Sequence, residues 1–153
     1  MFAIDTIDKV ADRIIWIHRS LFQESPSHMK LQKLCYYAEG FFLAEHDGQD
    51  LFPENFQAWV YGPVCQKLYH RFKEYGWKAI DADNICDSQL PLNISEHLQN
   101  IVEAYGHYDG AALSRMTHEE APWKEARGKL SELAPCEKVI KKQTMRDYFK
   151  SIL

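Results

Sequence analysis

Apolar positions return at helical spacing from Ile7 to Phe22. Ile7, Val10, Ala11, Ile14, His18, Leu21 and Phe22 share one face, with Asp8, Lys9, Asp12, Arg13 and Arg19 on the other. Ile15, Trp16 and Ile17 widen the stripe, so this helix is expected to pack on more than one side. Ser25-Pro26-Ser27-His28 breaks the pattern, and Ser27 can cap a second helix from about His28 to Glu45, whose core stripe is Leu31, Leu34, Cys35, Ala38 and Phe42. His46 to Asp50 ends it, with Gly48 suited to a left-handed position.

The next segment, Phe56 to Tyr61, alternates only loosely and reads as a short strand stopped by Gly62-Pro63. Pro63 has the fixed φ of a first helical turn, and Val64, Leu68, Phe72 and Tyr75 continue that helix to Gly76. Trp77 to Ile80 is expected to pair with 56–61 as a minimal sheet. Asn93-Ile94-Ser95-Glu96 has capping-box spacing, and Leu98, Ile101, Val102 and Tyr105 give the following helix its face up to Gly106. Asp109 can cap a short helix carrying Leu113 and Met116. Pro122 then opens another turn with Trp123 and Ala126, stopping at Gly128. A last helix from about Thr144 holds Met145, Tyr148, Phe149 and Ile152. With no internal repeat or linker, the expectation is a mainly α, compact single-domain helical bundle over 1–153 with at most a small two- or three-stranded β element.

Composition narrows the function classes. The 153 residues are 46% apolar and 13% aromatic, which excludes disorder. A net charge of −4 argues against a dedicated nucleic-acid or membrane-surface binder. Residues 111–153 hold nine Lys/Arg against six Asp/Glu, and the run Lys138, Lys141, Lys142, Arg146 and Lys150 reads as the wet face of the last helix. Cys35, Cys65, Cys86 and Cys136 are far apart with no CxxC pair, so reduced thiols are expected. The start MFAIDTIDKVADR shows no charged leader before an apolar run, and a cytoplasmic protein without membrane insertion follows.

One stretch looks reactive: Ser114-Arg115-Met116-Thr117-His118-Glu119-Glu120-Ala121-Pro122-Trp123. As a zincin helix it fails, because the fourth residue after His118 is Pro122, so neither a metal nor another cofactor is expected. As a nucleophilic centre it has no strand–turn–helix elbow around Ser114. A small hydrolase or nuclease using His118, Glu119 and Glu120 stays an alternative. The simpler reading is a corner: Ser114 and Thr117 bond nearby backbone, His118 caps the last carbonyls, Pro122 forces Ala121 out of the helix, and Trp123 plugs the break. The aromatics Tyr36, Tyr37, Phe41, Phe42, Trp59, Tyr61, Tyr69, Phe72, Tyr75 and Trp77 are mostly core, with some tyrosines left for an interface. Only Arg71 lies near them, which is a poor base-stacking platform.

Three segments carry a resemblance. Lys30-Leu31-Gln32-Lys33-Leu34-Cys35-Tyr36-Tyr37-Ala38-Glu39-Gly40 resembles the KLQKLLYYAQG segment of the Panacea domain family, the SocA-like antitoxins also called phage-associated GepA-like proteins. Phe56 to Val64 resembles that family's AW-x-YGPV segment through Trp59, Tyr61, Gly62 and Pro63, followed by Leu68-Tyr69. Leu113 to Arg127 resembles its LS-x-x-TH-x-E-x-PW-x-x-AR ending through Thr117, His118, Glu120, Pro122, Trp123 and Arg127. Cys35 departs from the family's aliphatic residue.

The resemblance implies an antitoxin that binds a cognate protein toxin encoded beside it, not an enzyme. In the SocA branch it also implies an adaptor delivering the toxin to an AAA+ protease. The structural or toxin-binding candidates it singles out are Lys30, Leu31, Lys33, Leu34, Tyr36 and Tyr37, then Trp59, Tyr61, Gly62, Pro63 and Tyr69, then the third segment's six residues. Some relatives carry an added DNA-binding domain, for which 153 residues are expected to leave no room.

Overall fold

The computed structural model describes residues 3–153; Met1 and Phe2, where the leader was sought, lie outside them. Helix α1 (Ile7–Phe22) and α2 (His28–Glu45) have the bounds that the apolar spacing predicts. Thr6 and Ser27 cap them by accepting from the Lys9 and Lys30 amides, satisfying donors that a helix start leaves free. The rest is β1 (Gln57–Trp59), β2 (Gly62–Val64), α3 (Gln66–Phe72), α4 (Leu92–Tyr105), α5 (Gly110–His118), α6 (Ala121–Arg127) and α7 (Lys142–Ser151), with 3₁₀ turns at Lys73–Tyr75 and Ala82–Asn84. The architecture is mainly α with one small sheet.

Helix α2 is the axis. Helices α1, α4, α5 and α7 and strand β2 all pack on it, so it is buried on every side rather than along one stripe. Its aromatic residues meet α7 and α4: Tyr36 and Phe149 centroids lie 5.5 Å apart, Phe41 and Phe149 4.8 Å, and Tyr37 stacks on Tyr105 at 4.2 Å. Gly40 lets α7 come this close, because a Cβ there would stand 2.1 Å from the Phe149 ring. Burying a ring the size of Phe149 contributes ~2–3 kcal/mol, which secures α7 to the axis.

All-round burial encloses polar groups. Gln32, Lys33 and Glu39 are buried on α2. The Gln32 amide accepts from the Cys65 N–H (2.9 Å) and donates to its carbonyl (3.2 Å), fixing the end of β2 to the axis. The Glu39 carboxylate accepts from the Leu51 amide (2.8 Å) and the Lys142 ammonium (3.0 Å). Burial still pushes the Glu39 carboxyl up to about 7 against the pull of Lys142.

The sequence pattern misleads around the sheet. Gly62-Pro63 does not open a helix; it forms β2, which pairs antiparallel with β1 in the register Gln57–Val64, Ala58–Pro63 and Trp59–Gly62. Pro63 fits here because its position needs no N–H donated to a ladder carbonyl, and α3 starts only at Gln66. Trp77 to Ile80 does not pair with β1. Ala79 bridges Ser27, and the far edge of β1 is taken by 138–140, with Ala58 donating to the Lys138 carbonyl and Ile140 to the Phe56 carbonyl.

Three helix starts also differ. The Asn93 capping box is not used: α4 begins after Pro91, and the Ser95 hydroxyl instead accepts from Arg13 Nε (3.0 Å). Helix α7 starts two residues before Thr144, at Lys142. At α6 the break falls on the extended Glu120, leaving Ala121 and Pro122 inside the first turn. Nor is the last basic run all solvated: Lys142 reaches Glu39, and Arg146 pairs with Asp47 (3.2 Å). Among the described residues, no helix is long and apolar enough to cross a membrane, and no three His, Cys, Asp or Glu side chains converge on a metal-sized site.

Candidate functional site

The α5–α6 corner grips the hairpin by its backbone. Arg127 Nη1 donates to the Ala58 carbonyl (2.7 Å) and Trp123 Nε1 donates to the Trp59 carbonyl (2.7 Å), while the His118 ring faces the Val60 backbone with its buried Nε2 unpartnered among the described residues. Two side chains from a sharp helical corner thus hold two successive residues of the hairpin. His118 and Trp123 stack at 4.2 Å and 22°, and the Arg127 guanidinium lies 4.7 Å from the Trp123 ring. His118 is therefore not a cap for its own helix. Burial lowers its ring below the ordinary histidine value against the pull of the Val60 backbone.

Arg127 has a second reach. Its Nη2 donates to the carbonyls of Ser131 (2.8 Å), Glu132 (3.4 Å) and Ala134, which fixes the loop carrying Leu133. One buried guanidinium thereby sets both walls of a groove of about 420 Å³ between the Trp59–Tyr61 turn and Leu133, Pro135 and Glu137. On the other flank of Tyr61, a groove of about 180 Å³ runs between His28, Tyr69, Lys73 and Trp77. Tyr61 is 54% exposed and Trp77 61%, with ring centroids 6.5 Å apart in a T-shape. Behind them Trp59 meets Tyr69 at 5.0 Å.

Beneath the turn lies Lys33, fully buried, its Nζ without a partner among the described residues. Burial brings its ammonium down to about 7. Gly62, at φ +102°, passes directly over it: a Cβ there would be 2.8 Å from Lys33 Cε and 2.7 Å from Thr117 Oγ1. Thr117 donates to the Ser114 carbonyl (2.7 Å) as the sequence suggests, whereas the Ser114 hydroxyl has no partner among the described residues.

The three acid–base groups of the corner diverge. Glu120 turns inward and accepts from Tyr37 (2.8 Å) and Tyr36 (3.2 Å), with burial raising it to about 7. Glu119 points to solvent beside Lys124 (3.8 Å), and His118 faces the hairpin. No common point exists where one reacting atom could meet all three, as a catalytic constellation requires.

The first-segment candidates split between core and rim. Leu31, Leu34, Tyr36 and Tyr37 are core, while Lys30 reaches across to the Gly106 carbonyl. Pro63 and Pro122 are buried packing residues.

The family model described as "Antitoxin SocA-like, Panacea domain" matches residues 31–124, from the first turn of α2 into α6, and so spans the axis, the hairpin and the corner that clamps it.

The chain belongs to this SocA-like Panacea family.

Antitoxin SocA of Caulobacter vibrioides (strain NA1000 / CB15N) is 30% identical over 109 residues, covering 63% of this chain and 57% of that relative. The chain thus spans little more than half of that relative's length. No solved structure matches. The Panacea span includes Tyr61 and Trp77 but not Arg127 or Leu133, so one wall of the larger groove comes from outside it.

Sequence reasoning missed several parts of this face. Trp77 reads as a strand residue from its neighbours and Leu133 carries no signal, while behind the face Gln32 and Glu39 are core residues of the first motif. The available signal was a polar residue inside an otherwise apolar helix, which demands a specific partner.

Proposed function

We propose that this Panacea chain is an antitoxin that neutralises a toxin encoded by a neighbouring gene through direct protein–protein binding, at the face centred on Tyr61 and Trp77. The observation that carries it is two large exposed rings in contact, Tyr61 on the clamped hairpin turn and Trp77 beside it. Tyr and Trp in such settings supply much of the energy of protein interfaces, and a free monomer gains nothing from exposing them. Both edges of β1 are engaged, by β2 and by 138–140, and β2 is buried, so a partner must read side chains rather than add a strand. The grooves on either side of Tyr61 give those side chains places to seat.

The test is to titrate this chain against the purified neighbouring toxin without protease or nucleotide. Inhibition near equal molar amounts with an isolable complex, lost in Tyr61→Ala with the fold retained, is the expected result. Protection far below stoichiometry would reject binding in favour of catalysis. Protection only after adding an ATP-dependent protease would select the adaptor mechanism.

A further inference from the structure

Trp77 is shared with a third and larger depression, a cleft of about 650 Å³ between the end of α1, the 24–27 loop and the α4–α5 junction. Its chemistry is that of a cation receptor. The C-terminal ends of α1 and α4 both reach it, at Phe22 and Gly106, and helix C-termini present negative dipole ends. Glu24 and Asp109 bring carboxylates to its rim, against the single ammonium of Lys30. Phe22, Trp77 and Tyr108 supply exposed ring faces, the surfaces over which cations are attracted.

Lys30 is the cation already at the cleft: burial lowers its ammonium, while the Glu24 and Asp109 carboxylates pull it back up. Its ammonium donates to the Gly106 carbonyl and lies 5.7 Å from the Phe22 ring centroid. His18 also lines the cleft. Its Nδ1 meets the Glu24 carbonyl, its Nε2 has no partner among the described residues, and burial brings the ring down to about 4, so it adds no positive charge. The positive end of α5 is offset by the Asp109 carboxylate, which caps it by accepting from the Ala112 amide (2.8 Å).

We infer that this cleft receives a lysine or arginine side chain of the partner protein, seated between the Trp77 and Tyr108 rings and the Glu24 and Asp109 carboxylates. This rests on the toxin-binding reading above. It adds the charge of the toxin segment that lies beside the Tyr61–Trp77 face: basic, not acidic. Electrostatics of this kind fix register and speed encounter, and weaken as salt screens them.

Two experiments separate this inference from the proposed function. First, N-acetyl-arginine amide is titrated into the free protein while the Trp77 indole and the Ala111 amide are followed by NMR. A saturable shift is expected, weakened about tenfold in Glu24→Gln/Asp109→Asn, since two exposed ion pairs are removed. Asparagine still caps α5, so folding is retained. Equal shifts with N-acetyl-norleucine amide, or no change in the double variant, would overturn the cation assignment. Second, the double variant is measured against the neighbouring toxin beside Tyr61→Ala. Toxin binding that persists unchanged in the double variant but fails in Tyr61→Ala overturns the cleft and leaves the face standing. No toxin binding by the unaltered chain defeats the proposed function, while the arginine titration still reports on the cleft.

Discussion

Replacing Lys33 with methionine should stabilise this protein at neutral pH and remove a pH dependence that the unaltered chain shows. The Lys33 ammonium is fully buried without a partner among the described residues, and burial lowers it from 10.5 to about 7. Between those values the unfolded chain keeps a proton that the folded chain has released, so stability rises with pH across that window. The whole shift, about 3.5 units at ~1.4 kcal/mol each, corresponds to ~5 kcal/mol. From pH 7 to 9, well below the titration of the tyrosines, about 2 kcal/mol of it should be visible.

Methionine keeps the length and packing of the chain while removing the amine. Urea unfolding followed by circular dichroism at pH 7 and 9 is the assay. The midpoint of the unaltered protein should move upward by about 1 M relative to Lys33→Met, with similar slopes, because urea slopes for small proteins are ~1–3 kcal/mol/M. Parallel midpoints in the two proteins would refute the reasoning, since they would mean that Lys33 stays charged beside an anion. So would a variant less stable at pH 7, which would mean that the amine contributes to packing.

Tyr61→Ala should leave unfolding within about 0.5 kcal/mol of the unaltered protein, whereas Trp123→Ala should cost about 3–5 kcal/mol; thermal melts reversing that order would exchange core for interface. Gly40→Ala places a methyl inside the Phe149 ring and should cost at least ~1–3 kcal/mol, part of which a second change, Phe149→Leu, should restore. Glu120 holds its proton up to about 7 when folded and releases it near 4.5 when unfolded, so stability should fall as pH rises across that span. Glu120→Gln should flatten this trend by about 2 kcal/mol in urea melts between pH 4.5 and 7; an unchanged slope would place the proton elsewhere.

Local patterning settled much of the helical framework. The apolar spacing and single capping residues of α1 and α2 define their bounds, because helix ends are decided by the few groups that satisfy free backbone donors. Asp109 and Gly128 likewise mark α5 and α6 correctly. The hairpin was not legible in this way. Gly62-Pro63 suits a helix start as well as a strand, and only the clamp on Ala58 and Trp59 from a corner more than sixty residues later decides between them. Asn93 failed for a different reason: its box was chemically adequate, but α4 begins at Leu92 after Pro91, which leaves Asn93 and Glu96 inside the helix.

The sequence by itself determined that this chain folds as helices around an apolar axis and carries the Panacea segments. Periodicity and capping act over four residues and need no distant partner. The tertiary structure alone decided which motif residues are buried and which stay exposed. Trp123 and Arg127 look chemical in the sequence yet spend their polar groups on backbone carbonyls, and Glu120 spends its own on two buried tyrosines. Trp77, which its neighbours make look like part of a minimal sheet, is left exposed beside Tyr61 at the junction of two depressions. Burial and exposure depend on what packs on each side of a residue, and those neighbours come from distant parts of the chain.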